Sequence, residues 1–477
     1  MDKPIIIDNF QKGIADSPLL GFGKMLNVDI DTRPGTAMIN YSAVKQSSTN
    51  ITDTPNWMVK DPDTNIVYAY TADNKLHKNA SSWAVKSGNT TSSGNGNGMV
   101  IWNGYILTFR NSQTDAFSLS GETWTNSIQA LTTDTGWHPA LVGQDNILYL
   151  GSTNLIETFT EVGTFNPGNS GTWTFAGAGT PALDLPAGYK INCLVELGDK
   201  LYIGTQFGTG LYGGRADIFP WDRVSSSFEL PIRIPENGIH QMLTVGNLIY
   251  VVAGVNHNIY VTNGSSYELV KKQPLTDLRG GNYLDPRPGA IMFHKGKLYT
   301  GVSCTNGTTS PNPTGVYGLD LKTGAYNFEN QISTGNSNGD VMIGALCEGS
   351  NLVYYIGWKD ENSITYGIDQ VGASVYNTAY ETAVESQLYK VGTKYAKRTF
   401  QYAEFELADA MVSTEGVILK YRENLGDDWT TIGTSTFATD GGVKSQRFPF
   451  GQSLESVQIR AELKGTSTMC LKNIILN

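Results

Sequence analysis

Apolar residues in this chain fall into short runs, and each run is led by a tight cluster of small or polar residues. The plainest instance is Glu196-Leu197-Gly198-Asp199-Lys200-Leu201-Tyr202-Ile203-Gly204, where a turn feeds a strand that carries an aromatic and ends in glycine. The same order returns in Trp102-Asn103-Gly104-Tyr105-Ile106-Leu107 and in Gln144-Asp145-Asn146-Ile147-Leu148-Tyr149-Leu150-Gly151. It returns again in Val245-Gly246-Asn247-Leu248-Ile249-Tyr250, His294-Lys295-Gly296-Lys297-Leu298-Tyr299 and Gly349-Ser350-Asn351-Leu352-Val353-Tyr354, with a looser first copy at Asp63-Thr64-Asn65-Ile66-Val67-Tyr68. The equivalent bulky positions are 68, 107, 149, 202, 250, 299 and 354, so consecutive copies lie 39 to 55 residues apart. Asn-Gly, Gly-Asp and Gly-Asn supply the positive φ that a tight turn between antiparallel strands requires. Further strands follow several copies, at His257 to Val261, Gly315 to Leu319 and Ser363 to Gly367. No such unit buries its own apolar face, so the units must stack. The period fits four-stranded blades of a β-propeller, and seven copies predict seven blades over residues 46–374.

The flanks read differently. Leu26, Val28 and Ile30 alternate with Asn27, Asp29 and Asp31 as a half-buried strand does, and Arg33-Pro34-Gly35 breaks it. Residues 1–45 are expected to form an N-terminal arm, extended from Ile5 to Leu20, with 36–45 as a strand that completes the last blade and closes the ring. From 375 to 477 the propeller signature stops. Val417, Leu419 and Tyr421 point one way, and Val457, Ile459, Ala461 and Leu463 alternate with Gln458, Arg460 and Glu462. This predicts a C-terminal β-sandwich with its own core. Loops at 88–98, 155–185, 205–235 and 303–314 are expected to leave the sheets, and such loops carry a propeller's specific contacts.

Composition supports an all-β chain: 53 glycines in 477 residues suit many turns, and 16% charged residues is well below the ordinary quarter. A net charge of −10 disfavours a broad phosphate-gripping surface. Cys193, Cys304, Cys347 and Cys470 lie far apart with no CxxC pair and read as buried free thiols. The opening Met1 to Asp8 lacks the apolar core of a signal peptide, and no run approaches the ~20 apolar residues of a membrane span. A soluble product of a cytoplasm is expected.

Catalytic chemistry is not nominated. His77, His138, His240, His257 and His294 fall in four or five different repeats without metal-ligand spacing, and no P-loop or HExxH is present. Gly121-Glu122-Thr123-Trp124 and Gly171-Thr172-Trp173 resemble the tail of a sialidase Asp-box, but Leu119 and Phe117 stand where its Asp and Ser belong. Asp61-Pro62-Asp63-Thr64-Asn65 and Asp427-Asp428 offer oxygen ligands for calcium without the glycine and distant glutamate of an EF loop. Trp137, Trp173 and Trp221 suit packing or an interface better than sugar stacking. The expectation is no enzyme, no cofactor and no metal, with a glycan-binding adhesin and a propeller glycosidase as the alternatives.

The stretch Phe10-Gln11-Lys12-Gly13-Ile14-Ala15, followed by Met25-Leu26-Asn27-Val28-Asp29-Ile30-Asp31 and Pro34-Gly35, resembles the start of tail proteins of double-stranded-DNA bacteriophages. With Tyr421-Arg422, Trp429 and Ile432-Gly433 in the terminal region, the chain looks most like the nozzle, or tail-hub, proteins of short-tailed phages. That resemblance implies a structural virion protein, made in the host cytoplasm, that forms a homo-oligomeric ring, commonly sixfold. The ring would contact the tail adaptor and fibres, and DNA would pass through it without specific binding.

Overall fold

The computed structural model describes residues 4–8, 10–14, 22, 24–30, 33, 35–46, 51–79, 82–88, 95–131, 136–159, 182–208, 214–272, 283–284, 286–305, 314–334, 341–350, 352–361, 363–372, 382–465 and 469–477. The turns of the repeat have the backbone their residues dictate. Asn103 and Gly104 sit at φ 47° and 80°, and Lys295 and Gly296 at 49° and 82°, as a two-residue type I′ loop demands. Gly198 and Gly246, at φ 63° and 61°, open two more two-residue loops, with Leu197 opposite Lys200 and Val245 opposite Leu248. There only the first central residue has positive φ, as in type II′. The residue that follows goes inward: Tyr68, Leu107, Tyr149, Tyr202, Tyr299 and Tyr354 are all buried.

Four-stranded antiparallel units follow one another along the chain. The first holds Pro55–Lys60, Val67–Thr71, Lys75–Asn79 and Trp83–Gly88; the second Gly98–Trp102, Tyr105–Phe109, Gln113–Ser118 and Trp124–Ala130. The third holds Ala140–Val142, Leu148–Ser152, Leu155–Phe159 and Leu183–Asp184; the fourth Tyr189–Leu197, Lys200–Phe207, Arg215–Trp221 and Ile232–Ile234. The fifth holds Ile239–Val245, Leu248–Ala253, Asn258–Thr262 and Tyr267–Lys271; the sixth Ile291–His294, Lys297–Val302, Gly315–Asp320 and Tyr326–Asn330. The seventh takes Val341–Glu348, Tyr354–Asp360 and Thr365–Val371, and borrows Val44–Lys45 as its outer strand. The first strand of each unit lies beside that of the next, and that of the seventh returns to the first, so the ring is closed.

Backbones converge at the inner strands. A Cβ on Gly98 would stand 2.0 Å from the His138 carbonyl oxygen, and one on Gly289 2.3 Å from that of Asn56. Several inner strands also carry a one-residue bulge, at Asn56, Asn192, His240 and Gly344. A bulge frees its residue from the ladder. The Asn56 amide therefore reaches the Gly96 carbonyl and the Asn192 amide the Ile239 carbonyl at 2.7 Å, each stitching one unit to the next.

The N-terminal stretch is laced through the molecule. The ring-closing expectation for 36–45 divides: Val44 and Lys45 pair with Gln370 and Asp369, whereas Ala37–Ile39 joins Cys470–Leu476 and Val28–Asp29. Between the two pieces Asn40 turns inward, its amide donating to the Glu329 carboxylate and carbonyl. Lys24–Leu26 inserts between two sheets, parallel to Tyr326–Asn330 and antiparallel to Thr382–Glu385. The sixth unit thus continues through Ser456–Lys464, Gly416–Arg422 and Thr430–Thr436 as part of a ten-stranded sheet. Facing it is a second sheet of Val28–Asp29, Ala37–Ile39, Cys470–Leu476, Arg398–Leu407 and Ser445–Leu454, with Ile5–Ile7 added on Cys470–Leu476.

These two sheets form the sandwich, with Phe400, Phe405 and Leu407 of one against Val417, Leu419, Ile459 and Ala461 of the other. The expectation of a separate sandwich core is corrected. The same apolar cluster runs through Phe10, Phe22, Met25, Leu26 and Val28 into Leu298, Tyr317, Tyr326 and Phe328 of the sixth unit. An inserted strand buries both of its neighbours' edges, so the cores merge. Among the described residues helix is confined to a 3₁₀ turn at Phe10–Lys12 and to Phe437–Asp440, and no helix is long and apolar enough to cross a membrane.

Two outcomes follow from this packing. Gly289→Ala should lower unfolding free energy by about 1–3 kcal/mol in denaturant titration, since the opposing atom is backbone, while Gly426→Ala, with open space around it, changes little. Glu329 accepts from the buried Lys297 ammonium as well as from Asn40, so Glu329→Ala should cost about 3–5 kcal/mol by removing the buried carboxylate of that pair.

Candidate functional site

Side chains from distant units meet on the propeller axis. Trp57 comes from the first inner strand, Trp137 leads into the third unit and Arg287 into the sixth. The two indoles pack edge to face with centroids 6.1 Å apart, and the Arg287 guanidinium lies 5.2 Å from the Trp137 centroid. Units this far apart touch only across the axis. Gln241 of the fifth unit donates to the Arg287 carbonyl at 2.8 Å and fixes that residue's backbone. Aromatic and guanidinium groups therefore meet across the bore at this end.

A cleft of about 520 Å³ opens elsewhere, lined by Gly214, Arg215, Arg233, Glu236, Asn237 and Tyr267 among others. Its floor follows from strand register. Arg215 and Asp217 are two apart on one strand and so share a face, and Arg233 on the next strand stands directly opposite Asp217. The Asp217 carboxylate, fully buried, accepts from Arg215 Nε at 2.6 Å, Arg233 Nε at 3.0 Å and the Tyr189 hydroxyl at 2.6 Å. Arg215 also lies over the Tyr189 and Phe207 rings, at 5.2 and 5.0 Å. On the fifth-unit side Glu236 Oε1 accepts from Asn258 Nδ2 and from the Tyr260 hydroxyl, both at 2.7 Å. Burial, and then this carboxylate, hold the Tyr260 phenol above its ordinary pKa. Two guanidinium groups thus share one buried carboxylate, and their Nη atoms make no hydrogen bond among the described residues.

The candidates nominated from sequence are not brought together. Asp61 is buried and accepts from the Asp63 amide at 3.1 Å and the Thr64 hydroxyl at 2.5 Å, a turn closed on itself. Asp427 accepts from the Asn424 amide and side chain, both at 2.9 Å. Glu122 pairs with Lys78 and Lys86 of the first unit, which lower its pKa, Lys78 foremost. Trp221 is buried edge to face on Tyr149 at 6.1 Å and donates to the Ser225 carbonyl at 2.7 Å. Trp173, with Gly171 and Thr172, lies outside the described residues. Cys193, Cys347 and Cys470 are buried free thiols, and burial pushes Cys347 up to about 12. Among the described residues no group of three or more His, Cys, Asp or Glu is placed to hold a metal ion.

Two features escaped the sequence reading. Gly335-Asn336-Ser337-Asn338-Gly339 has the spacing of a nucleophile elbow. That motif requires a strand-to-helix turn, whereas the flanking elements are strands, Tyr326–Asn330 and Val341–Glu348, and residues 335–339 lie outside those described. The arginine cleft left a fainter signal, the polar alternations Arg215-Ala216-Asp217 and Ile232-Arg233-Ile234, whose juxtaposition depends on a strand pairing that spacing alone does not reveal.

No family model and no curated protein matches the chain. Among solved structures it is similar to the RRP9 WD40 repeats, at 11% identity and TM-score 0.46, over 70% of this chain and 99% of that one. It is similar also to the Cps50 (Swd1) β-propeller domain of Myceliophteria thermophila, at 11% and 0.46, over 69% and 99%. The computationally designed Ika8 protein matches at 12% and 0.40, over 73% and 96%. The propeller assignment rests on the strand order described above.

The histidines give the molecule an acid limit. His77 and His257 are fully buried, and neither ring nitrogen of either meets a hydrogen-bond partner among the described residues. Burial holds His77 and His240 down to about 4 and His257 to about 3, from an ordinary 6.5. Above 6.5 neither folded nor unfolded chain is charged at these sites. Below it the unfolded chain binds protons that the folded one refuses, so stability falls as pH drops from about 6.5 toward 4. His77→Leu should shrink the loss between pH 7.5 and pH 5 by on the order of 1–2 kcal/mol in denaturant titrations at the two pH values. An unchanged loss would remove His77 from the account.

Proposed function

We propose that the chain is a structural protein of a bacteriophage tail, nozzle-like, that assembles with copies of itself into a ring. The observation that carries this reading is the lacing of propeller and sandwich into one body through Lys24–Leu26. A single stiff block is what a particle under internal pressure requires of its parts. Phe10, Ile14, Met25, Leu26, Val28 and Ile30, drawn from the stretches that bear the resemblance to phage tail proteins, also lie in the apolar cluster that propeller and sandwich share. Side chains meeting across the propeller axis leave any DNA passage to the space between subunits, and a net charge of −10 suits a wall along which phosphates slide without sticking. The protein acts by shape, without a reaction of its own; its neighbours are further copies, an adaptor and fibres, and its place is the virion.

A closed ring needs two different complementary patches on each subunit. Tyr395 and Leu425 on the sandwich, 93% and 61% exposed, are the apolar candidates for one of them. The purified protein should form rings of defined copy number by electron microscopy and mass measurement, and Tyr395→Asp with Leu425→Asp should shift it toward monomer without lowering its melting temperature. A wild-type protein that stays monomeric at tens of micromolar and is absent from particles would overturn the proposal.

A further inference from the structure

We infer that the cleft of Arg215, Arg233, Glu236 and Tyr267 binds a carboxylate-bearing sugar, a hexuronate or a residue of an acidic polysaccharide. This goes beyond the ring proposal and does not depend on it. Binding an anion first needs donors fixed in place. Asp217, with no exposure, holds both arginines by Nε and leaves their terminal nitrogens out of its own hydrogen bonds. The Tyr189 and Phe207 rings further restrict Arg215. A guanidinium so held loses little freedom when it grips a planar carboxylate.

The second requirement is neutralisation without collapse. Two guanidinium charges stand over one Asp217 charge, which leaves a local positive excess at the floor in a chain of net charge −10. Glu236 offsets that excess on the other wall, where Asn258 and Tyr260 bind its Oε1. A ligand that is only an anion would meet this carboxylate unfavourably. One that carries hydroxyl groups beside its anion would donate to Glu236 while its carboxylate meets the arginines. Tyr267, 42% exposed on the same cleft, offers an aromatic face of the kind on which sugar rings stack. A volume of about 520 Å³ suits one or two sugar rings. Anion, hydroxyl donors and an apolar ring face together describe a uronic acid.

The test is calorimetric or NMR titration of the full chain with sodium glucuronate, glucose, acetate and sulfate in parallel. Glucuronate should bind saturably, and glucose and acetate at least about tenfold more weakly, since each lacks half of the recognised groups. Arg233→Gln should weaken glucuronate at least about tenfold with an unchanged melting temperature, because Asp217 keeps Arg215 and Tyr189 as partners. Glu236→Gln retains an oxygen for Asn258 and Tyr260; it should weaken glucuronate and leave acetate unaffected or improved. Sulfate binding as tightly as glucuronate would reduce the site to an anion site and overturn the sugar assignment. No saturable glucuronate binding, or binding indifferent to Arg233→Gln, would overturn the site itself.

Discussion

The molecule depends on one short strand held between two sheets. Lys24–Leu26 lies parallel to the outer strand of the sixth propeller unit and antiparallel to the first strand of the sandwich. Its Met25 and Leu26 lie in the apolar cluster that the propeller and the sandwich share. Parallel strands cannot be joined by a tight turn. Here the partners are Leu26 and Phe328, so nearly the whole ring must be made before this edge is filled. The same holds for Val44–Lys45, whose partner strand Thr365–Val371 comes last in the ring. Such long-range pairing slows folding, but it covers the outer strand of the sixth unit and supplies the outer strand of the seventh.

Polar side chains secure this segment where apolar contact alone would let it slip in register. Asn327 donates to the Val28 carbonyl at 2.8 Å, Asn330 to the Tyr41 carbonyl at 2.7 Å, and Glu329 receives Asn40. One strand of the sixth unit thus binds the incoming chain on both sides of its turn. At the opposite side of the propeller the constraint is steric, because seven inner strands crowd one axis. Glycine where backbones touch, and bulges that turn Asn56 and Asn192 toward the next unit, meet it. The indole and guanidinium groups of Trp57, Trp137 and Arg287 meet across it.

The fold was legible where chemistry is local. Asn103-Gly104 and Gly198-Asp199 announce their turns because few residues accept positive φ, and the inward aromatic follows from the period of a strand. The alternation of Val417 and Leu419 likewise foretold the buried side of their strand. Along Ser456–Lys464, by contrast, the polar Gln458, Arg460 and Glu462 are buried as well as Ile459 and Ala461, with Arg460 paired to Glu385 and Glu462. What escaped was pairing. Nothing in Thr36 to Lys45 tells that Ala37–Ile39 and Val44–Lys45 belong to different sheets, since both read as plain strand. The shared core was hidden for the same reason: an apolar face does not name its partner. The arginine cleft, too, exists only because Asp217 and Arg233 come into register across two strands.

The lacing makes propeller and sandwich a single cooperative body, and hydrogen exchange read by mass spectrometry on the full chain examines that most directly. Amides of Lys24–Leu26, Tyr326–Asn330 and Thr382–Glu385 should share one opening free energy and exchange together as denaturant is raised. A sandwich that exchanges while the sixth unit and Lys24–Leu26 stay protected would contradict the account, because it would make the shared strand a surface contact between two independent folds.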